Sequence, residues 1–190
     1  ILDYDLVFDS GGFGHGDHIR SGIRTAIKLK RLARDWEKFY DERKLFVGVC
    51  NGFQDMVQGG FLTTQEEAIS SQEFTLLSNE FGPYRVHDVY LRNVNRGNCI
   101  YTTGIEVVRI PMRHAEGRFW VKGLPEDRSL LEKLYEQDQV VFKYVAPDGS
   151  SLEGSSKEMR KKWCYNGSVD FIATVCDPRG IWLGIMPHPE

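Results

Sequence analysis

The first part of the chain alternates short apolar runs with helical patterns. An apolar run from Leu6 to Phe8 ends in the polar and glycine-rich DSGG, and a 3.6-residue pattern follows from Ile19 to Leu32. A second apolar run, Leu45 to Val49, precedes a short helical segment, Phe53 to Gln58, which is ended by two glycines. This strand, helix, strand, helix order predicts parallel strands with helices on the faces of the sheet.

Beyond residue 70 the apolar period shifts toward two, which is typical of strands. The predicted strands are Phe74–Leu77, Val86–Leu91, Ile105–Ile110, Arg118–Val121 and Val140–Val145, followed by a hairpin of Asp170–Val175 and Ile181–Ile185. A helix from Asp127 to Gln137 interrupts them, and Pro147 to Lys162 has the composition of a solvated loop. We therefore predict a single α/β domain over residues 1–190, with an open, mostly parallel but mixed sheet, helices on both faces and antiparallel hairpins.

Composition and charge exclude several classes of protein. The 190 residues are 41% hydrophobic and 27% charged, which is ordinary for a globular domain. The net charge of -3 gives no basic field for nucleic acid, and no apolar stretch approaches the roughly 20 residues of a membrane span. The four cysteines lack CxxC spacing, so neither a disulfide framework nor a zinc site is indicated. We expect a cytoplasmic protein.

The segment GVCNG, Gly48 to Gly52, follows the second apolar run and opens the short helix. This is a G-x-C-x-G arrangement, the cysteine counterpart of the nucleophile elbow, in which a Cβ at either glycine position would clash. Cys50 at a helix N-terminus would be favoured as a thiolate. The alternative is a small buried packing residue, as many cysteines are.

The chain ends in MPHPE, which supplies a base and an acid after the last apolar strand. Pro189 favours an extended conformation at His188, and in extended backbone the side chains of His188 and Glu190 project to the same side. Cys50, His188 and Glu190 thus form a candidate nucleophile, base and orienting acid. The backbone N–H groups near Gly12 and at Asn51 are the candidate oxyanion hole, provided that the strands before Gly12 and Cys50 are adjacent.

Three segments, in this order, closely resemble the glutaminase subunits of phosphoribosylformylglycinamidine synthases, which are class I glutamine amidotransferases. They are VGVCNGFQDMVQGGFL, IPMRHAEGRF (Ile110 to Phe119) and YNGSVDFIATVCDPRGIWLGIMPHPE (Tyr165 to Glu190). GGFGHGDHIRSG resembles the glycine-rich oxyanion segment of that family, although Ser10 replaces a more usual proline. Relative to the family, the sequence is expected to lack a first strand and helix and a C-terminal tail.

The resemblance implies that Cys50 attacks the carboxamide of L-glutamine, that His188 moves the proton and that Glu190 orients His188. Gln54 and His114 are implied to lie at the glutamine-binding pocket. Ammonia would pass to a separate synthase subunit that uses ATP and Mg²⁺, with a small accessory subunit as a further partner. No metal, cofactor, nucleic acid or membrane is expected for this chain.

Other functions fit parts of the same pattern. A cysteine hydrolase acting on other γ-glutamyl bonds would share the triad, and a non-enzymatic regulator could retain the fold. His15, Asp17 and His18 could suggest a metal site, but this spacing is a weak signal. We expect Cys99, Cys164 and Cys176 to be packing residues, and Trp36, Phe39 and Tyr40 to anchor the core.

Overall fold

A computed structural model describes residues 1–12 and 20–189. The strands in this part of the chain are β1 (Leu6–Asp9), β2 (Leu45–Val49), β3 (Phe74–Leu77), β4 (Arg85–Asn93), β5 (Val107–His114), β6 (Arg118–Val121), β7 (Val140–Val145), β8 (Ile172–Cys176) and β9 (Trp182–Ile185). The α-helices are α1 (Ile23–Lys30), α2 (Ala33–Asp41), α3 (Asn51–Gly59), α4 (Ser129–Glu136) and α5 (Lys157–Trp163). The predicted strands are therefore present, with shifts of a few residues at their ends.

Seven strands form one sheet in the order β1-β2-β9-β8-β7-β4-β5, and β3 pairs with β6 in a second, antiparallel sheet. β1, β2 and β9 are parallel, whereas the pairs from β9 to β5 are antiparallel. The α/β class and the mixed sheet are confirmed, but parallel pairing is confined to the three strands at one side. The β4–β5 and β8–β9 connections contain no helix, so each of these pairs reverses direction, whereas α1 and α2 carry the chain back between β1 and β2.

An aromatic cluster packs α2 onto one face of the parallel strands. The ring of Trp36 stacks on Phe46 with centroids 4.7 Å apart and meets Trp182 edge-on at 5.8 Å. Phe39 and Tyr40 are also buried, which confirms these residues as core anchors. They lie on a helix separate from α1, because the chain makes i to i+3 turns at residues 31 and 32 between the two helices.

The turn before β9 is held by the buried carboxylate of Asp177. Its Oδ1 accepts backbone hydrogen bonds from Ile181 (2.8 Å) and Trp182 (2.7 Å), and its Oδ2 accepts from the Tyr40 hydroxyl (2.7 Å) and the Arg179 amide (2.9 Å). Burial, and secondarily the Asp177 charge, raises the pKa of Tyr40, so the phenol stays a donor. Asp177 thereby fixes the chain direction into β9, the strand that leads to His188.

The segment from Pro147 to Lys162 is not the continuous loop that its composition predicts, because it contains most of α5. The Ser156 hydroxyl caps this helix by accepting a hydrogen bond from the amide of Met159 (3.3 Å). No residue of α5 is buried. The solvated character was thus predicted correctly, but the capping serine and the Lys, Glu, Met and Arg residues after it favour a helix.

None of the helices in residues 1–12 and 20–189 is long and apolar enough to cross a membrane.

Candidate active site

Cys50 lies at the sharp turn between β2 and α3. Its backbone angles, φ 53° and ψ -103°, place it in a region that non-glycine residues rarely adopt. A Cβ on Gly48 would come within 2.6 Å of the Gly52 carbonyl oxygen, and a Cβ on Gly52 would strike the backbone oxygen of Asp9. The two glycines therefore allow the strained turn that sequence spacing predicted, and they let β1, β2 and α3 meet beneath Cys50.

Cys50 is 6% exposed and lies at the N-terminal end of α3. Its amide donates to the Ile185 carbonyl at the end of β9 (2.8 Å), and its Sγ lies 3.6 Å from the carbonyl oxygen of Arg113. The helix N-terminus favours a negative charge on the sulfur, as a nucleophile requires. Arg113 belongs to β5, the edge strand on the opposite side of the sheet from β1, so the sheet curls far enough to bring β5 to the nucleophile.

His188 and Cys50 lie against the same glycine. A Cβ on Gly11 would be 2.7 Å from Cε1 of His188 and 3.1 Å from the Cβ of Cys50, so one methyl group there would press on both side chains. His188 is 9% exposed, and its backbone amide donates to the Pro111 carbonyl (2.8 Å). The structure thus brings the predicted nucleophile and base together. Glu190, the predicted orienting acid, lies outside the described residues.

The loop after β1 lies over the nucleophile, as the oxyanion hypothesis requires. β1 and β2 pair in parallel, with Asp9 opposite Gly48. Gly12 has a φ of 132°, and Asn51 is the first residue of α3, directly after Cys50. The predicted adjacency of the two strands is confirmed, whereas the role of the Gly12 and Asn51 amides as oxyanion donors stays a prediction.

A pair of carboxyl groups, those of Asp9 and Asp55, lies beneath the turn at Cys50. Asp9, whose backbone contacts Gly52, forms a side-chain hydrogen bond with Asp55 of α3. Burial raises the pKa of Asp9, and the bond to Asp55 opposes this only in part. A shared proton would let the two carboxyl groups lie close together. Sequence reasoning did not single out this pair, because the two residues are 46 positions apart and no local spacing connects them.

Gln54 is fixed by hydrogen bonds at both ends of its side-chain amide. Its Oε1 accepts from the Asn51 side chain (2.8 Å), and its Nε2 donates to the backbone oxygen of Glu116 (2.6 Å). Gln54 is 5% exposed and follows Cys50 by about one helical turn. This position is compatible with the predicted contact to substrate.

His114 is 3% exposed and its ring is hydrogen-bonded to Asn79. The Asn79 amide nitrogen donates to the His114 carbonyl (2.9 Å), so its oxygen faces the ring Nδ1 at 3.0 Å and accepts the proton there. The buried ring Nε2 has no hydrogen-bond partner among the described residues. Burial, followed by the nearby His188 and His87, lowers the pKa of His114 to about 3. His114 is therefore a neutral imidazole beside the site, and its predicted substrate contact stays a prediction.

The depressed pKa of His114 makes stability depend on pH. Unfolded histidine binds a proton below about pH 6.5, whereas the folded ring stays neutral down to about pH 3, so stability is lost as pH falls through this interval. We expect His114 alone to lower the free energy of unfolding by about 2 kcal/mol between pH 7 and pH 5. Urea unfolding of wild type and His114→Asn across this range measures how steeply the free energy of unfolding of each protein changes with pH.

His87→Asn is the comparison, because the pKa of His87 is also lowered by burial but its ring is only half-buried. We expect His87→Asn to change the pH dependence of the free energy of unfolding by less than His114→Asn does. An unaltered slope in His114→Asn would show that His114 is protonated in the folded protein.

Among the residues that the structure describes, no group of three or more His, Cys, Asp and Glu side chains is arranged to hold a metal ion. His15, Asp17 and His18, the weak metal candidate of the sequence, lie outside those residues.

Comparison with known proteins assigns the chain to a family. Residues 1–190 match the family model of a CobB/CobQ-like glutamine amidotransferase domain. It is 34% identical over 191 residues to phosphoribosylformylglycinamidine synthase subunit PurQ of Methanococcus maripaludis, covering 100% of this chain and 66% of the relative. It is 33% identical over 190 residues to the subunit of the same name from Picrophilus torridus, covering 100% of this chain and 69% of the relative.

A solved structure of PurLQS from Thermotoga maritima contains a chain with a similar fold. The TM-score is 0.68 at 27% sequence identity, with 100% of this chain and 70% of that chain covered. The chain therefore spans about two thirds of the length of the relatives it matches. From the family model over all 190 residues and the identity to PurQ subunits, we conclude that the chain belongs to the CobB/CobQ-like glutamine amidotransferase family and groups within it with PurQ.

Proposed function

We propose that this chain is the glutaminase component of a phosphoribosylformylglycinamidine synthase, an enzyme of purine biosynthesis. It hydrolyses L-glutamine to glutamate and ammonia, and the ammonia is used by a synthase subunit that consumes ATP with Mg²⁺. The observation that carries the proposal is that the side chains of Cys50 and His188 both lie against Gly11. Cys50 is at the N-terminus of α3.

In the first half-reaction, the Cys50 thiolate attacks the carboxamide carbon of glutamine. The oxyanion of the tetrahedral adduct accepts hydrogen bonds from the amides at Gly12 and Asn51. His188 gives a proton to the nitrogen as the C–N bond breaks, so ammonia leaves and a glutamyl thioester remains on Cys50.

In the second half-reaction, His188 takes a proton from water, and the oxygen attacks the thioester carbon. The C–S bond breaks, glutamate leaves and the Cys50 thiolate is restored. Glu190 holds the imidazole of His188 in the required orientation throughout. Gln54 contacts the bound glutamine, with His114 at the border of the pocket, and no step needs a cofactor in this chain.

The proposed partners follow from the relatives. Two relatives that are 33–34% identical are named as PurQ subunits of the synthase, and the solved relative is described as PurLQS. We propose that this chain likewise assembles with a synthase subunit and a small accessory subunit in the cytoplasm. None of the four cysteines, which all lie within the described residues, forms a disulfide, as a reducing compartment would favour.

The test is a comparison of nitrogen donors. The chain and the synthase subunit from the same organism are co-purified, and amidine formation from formylglycinamide ribonucleotide is measured with glutamine or with ammonium chloride. We expect the synthase alone to use ammonium only, and the assembled pair to use both donors. Failure of the pair to use glutamine would reject the proposal.

Two alternatives predict different products. A hydrolase acting on other γ-glutamyl bonds would release glutamate from γ-glutamyl peptides and would not support amidine formation. A regulator without activity would leave Cys50 no more reactive than a free thiol, so iodoacetamide and a glutamine-derived diazoketone would label it without selectivity.

A further inference from the structure

Glu116 is a carboxylate at the site that the proposed triad does not use. It lies in the turn between β5 and β6, where its backbone oxygen accepts the hydrogen bond from Gln54 (2.6 Å). The preceding residue is also fixed, because the Ala115 carbonyl accepts from the Asn79 amide (2.8 Å). The turn that carries Glu116 is therefore anchored both to α3 and to the segment after β3.

Within the described residues, the Glu116 carboxylate has little to balance its charge. Its Oε2 accepts one backbone hydrogen bond, from Ser21 (3.2 Å), and the side chain is half-buried. None of the ion pairs within residues 1–12 and 20–189 includes Glu116. A carboxylate that is partly removed from water and holds one neutral donor retains capacity for a cation.

The separation of Cys50 and Gln54 along α3 is similar to the distance from the carboxamide to the α-nitrogen of glutamine. Gln54 is four residues after Cys50, which corresponds to roughly 6 Å along a helix axis. The carboxamide carbon and the α-nitrogen of extended glutamine are separated by roughly 5 Å from ordinary covalent lengths. The backbone of Gly22 packs against Gln54, and the neighbouring Ser21 amide donates to Glu116, so the Glu116 carboxylate lies on the Gln54 side of the site.

We propose that the Glu116 carboxylate binds the α-ammonium group of L-glutamine and selects substrates that carry it. The inference rests on the proposed glutaminase function and assigns one recognition contact within it. Glu116 takes no part in bond breaking, so its contribution is to substrate binding and orientation.

The test compares L-glutamine with glutaramate, which has the same carboxamide and carboxylate but lacks the α-amino group. Glu116→Gln keeps an oxygen for Ser21 and removes the charge. In the complex with the synthase, we expect Glu116→Gln to lower kcat/KM for L-glutamine by about 10- to 100-fold, the usual range for a charge-assisted hydrogen bond. The value for glutaramate should change by less than about twofold. Glu132→Gln, on the exposed face of α4, is the matched control and should alter neither value.

A binding measurement keeps the inference testable without turnover. L-Glutamine should protect Cys50 from iodoacetamide in wild type at lower concentration than glutaramate does, and Glu116→Gln should remove this difference. Equal losses of kcat/KM for L-glutamine and glutaramate would indicate a structural role for Glu116 and overturn the inference. A preference for L-glutamine that is unchanged in Glu116→Gln would also overturn it. If L-glutamine protected Cys50 selectively but was not hydrolysed by the complex, the glutaminase proposal would fail while the Glu116 contact stood.

Discussion

Replacing Cys50 with alanine is expected to lower glutamine-dependent amidine formation by at least about 10⁴-fold, because the thiolate forms the only covalent bond to substrate. Ammonium-dependent synthesis by the same complex should be unchanged, since the amide-cleaving step is bypassed. The readout is amidine formation with each nitrogen donor, together with the release of glutamate. The strained angles at residue 50 remain in the variant, so its thermal unfolding should be measured alongside.

Cys164→Ala is the matched control, because it also removes a buried thiol. Burial raises the pKa of Cys164 to about 12, so this sulfur is protonated and inert at neutral pH. We expect Cys164→Ala to keep glutamine hydrolysis within about twofold of wild type while it loses some stability. Glutamine hydrolysis that survived in Cys50→Ala would end the triad proposal, and the base and nucleophile would have to be sought elsewhere.

Gly11→Ala is expected to be the second most damaging change, although Gly11 carries no reactive group. The new methyl would lie 2.7 Å from the His188 ring and 3.1 Å from the Cys50 Cβ, closer than carbon atoms pack. One or both side chains must move, and a displacement of about 1 Å between reacting groups costs about 100-fold in rate. We expect kcat for glutamine hydrolysis to fall by at least this factor.

The neighbouring Ser10→Ala serves as the control for Gly11→Ala, because Ser10 is exposed in the same loop. It should retain wild-type kcat and wild-type labelling of Cys50 by a glutamine-derived diazoketone. Gly11→Ala should lose that labelling while far-UV circular dichroism stays native. Full activity in Gly11→Ala would mean that Cys50 and His188 are farther apart in solution than the structure places them.

Much of this site followed from local patterns in the sequence. The strand-to-helix turn at Cys50 was predictable because a nucleophile elbow needs two small residues at fixed spacing, and both the strand and the helix carry their own periodicity. The strand that leads to His188 was predictable for the same reason. The loop of Gly12 could be placed near Cys50 because successive strands separated by helices pair in parallel.

The tertiary structure alone decided which distant residues meet these local elements. No periodicity indicates that β5 curls back so that its Arg113 carbonyl reaches Cys50, or that Asn79 holds the His114 ring. The sequence by itself determined the elements and the chemical groups at their ends, since backbone geometry and side-chain period act over a few residues. Packing between segments far apart in the chain decided the curl of the sheet, the contact of Gly11 with both catalytic candidates and the position of Glu116. Local periodicity carries no information about such packing.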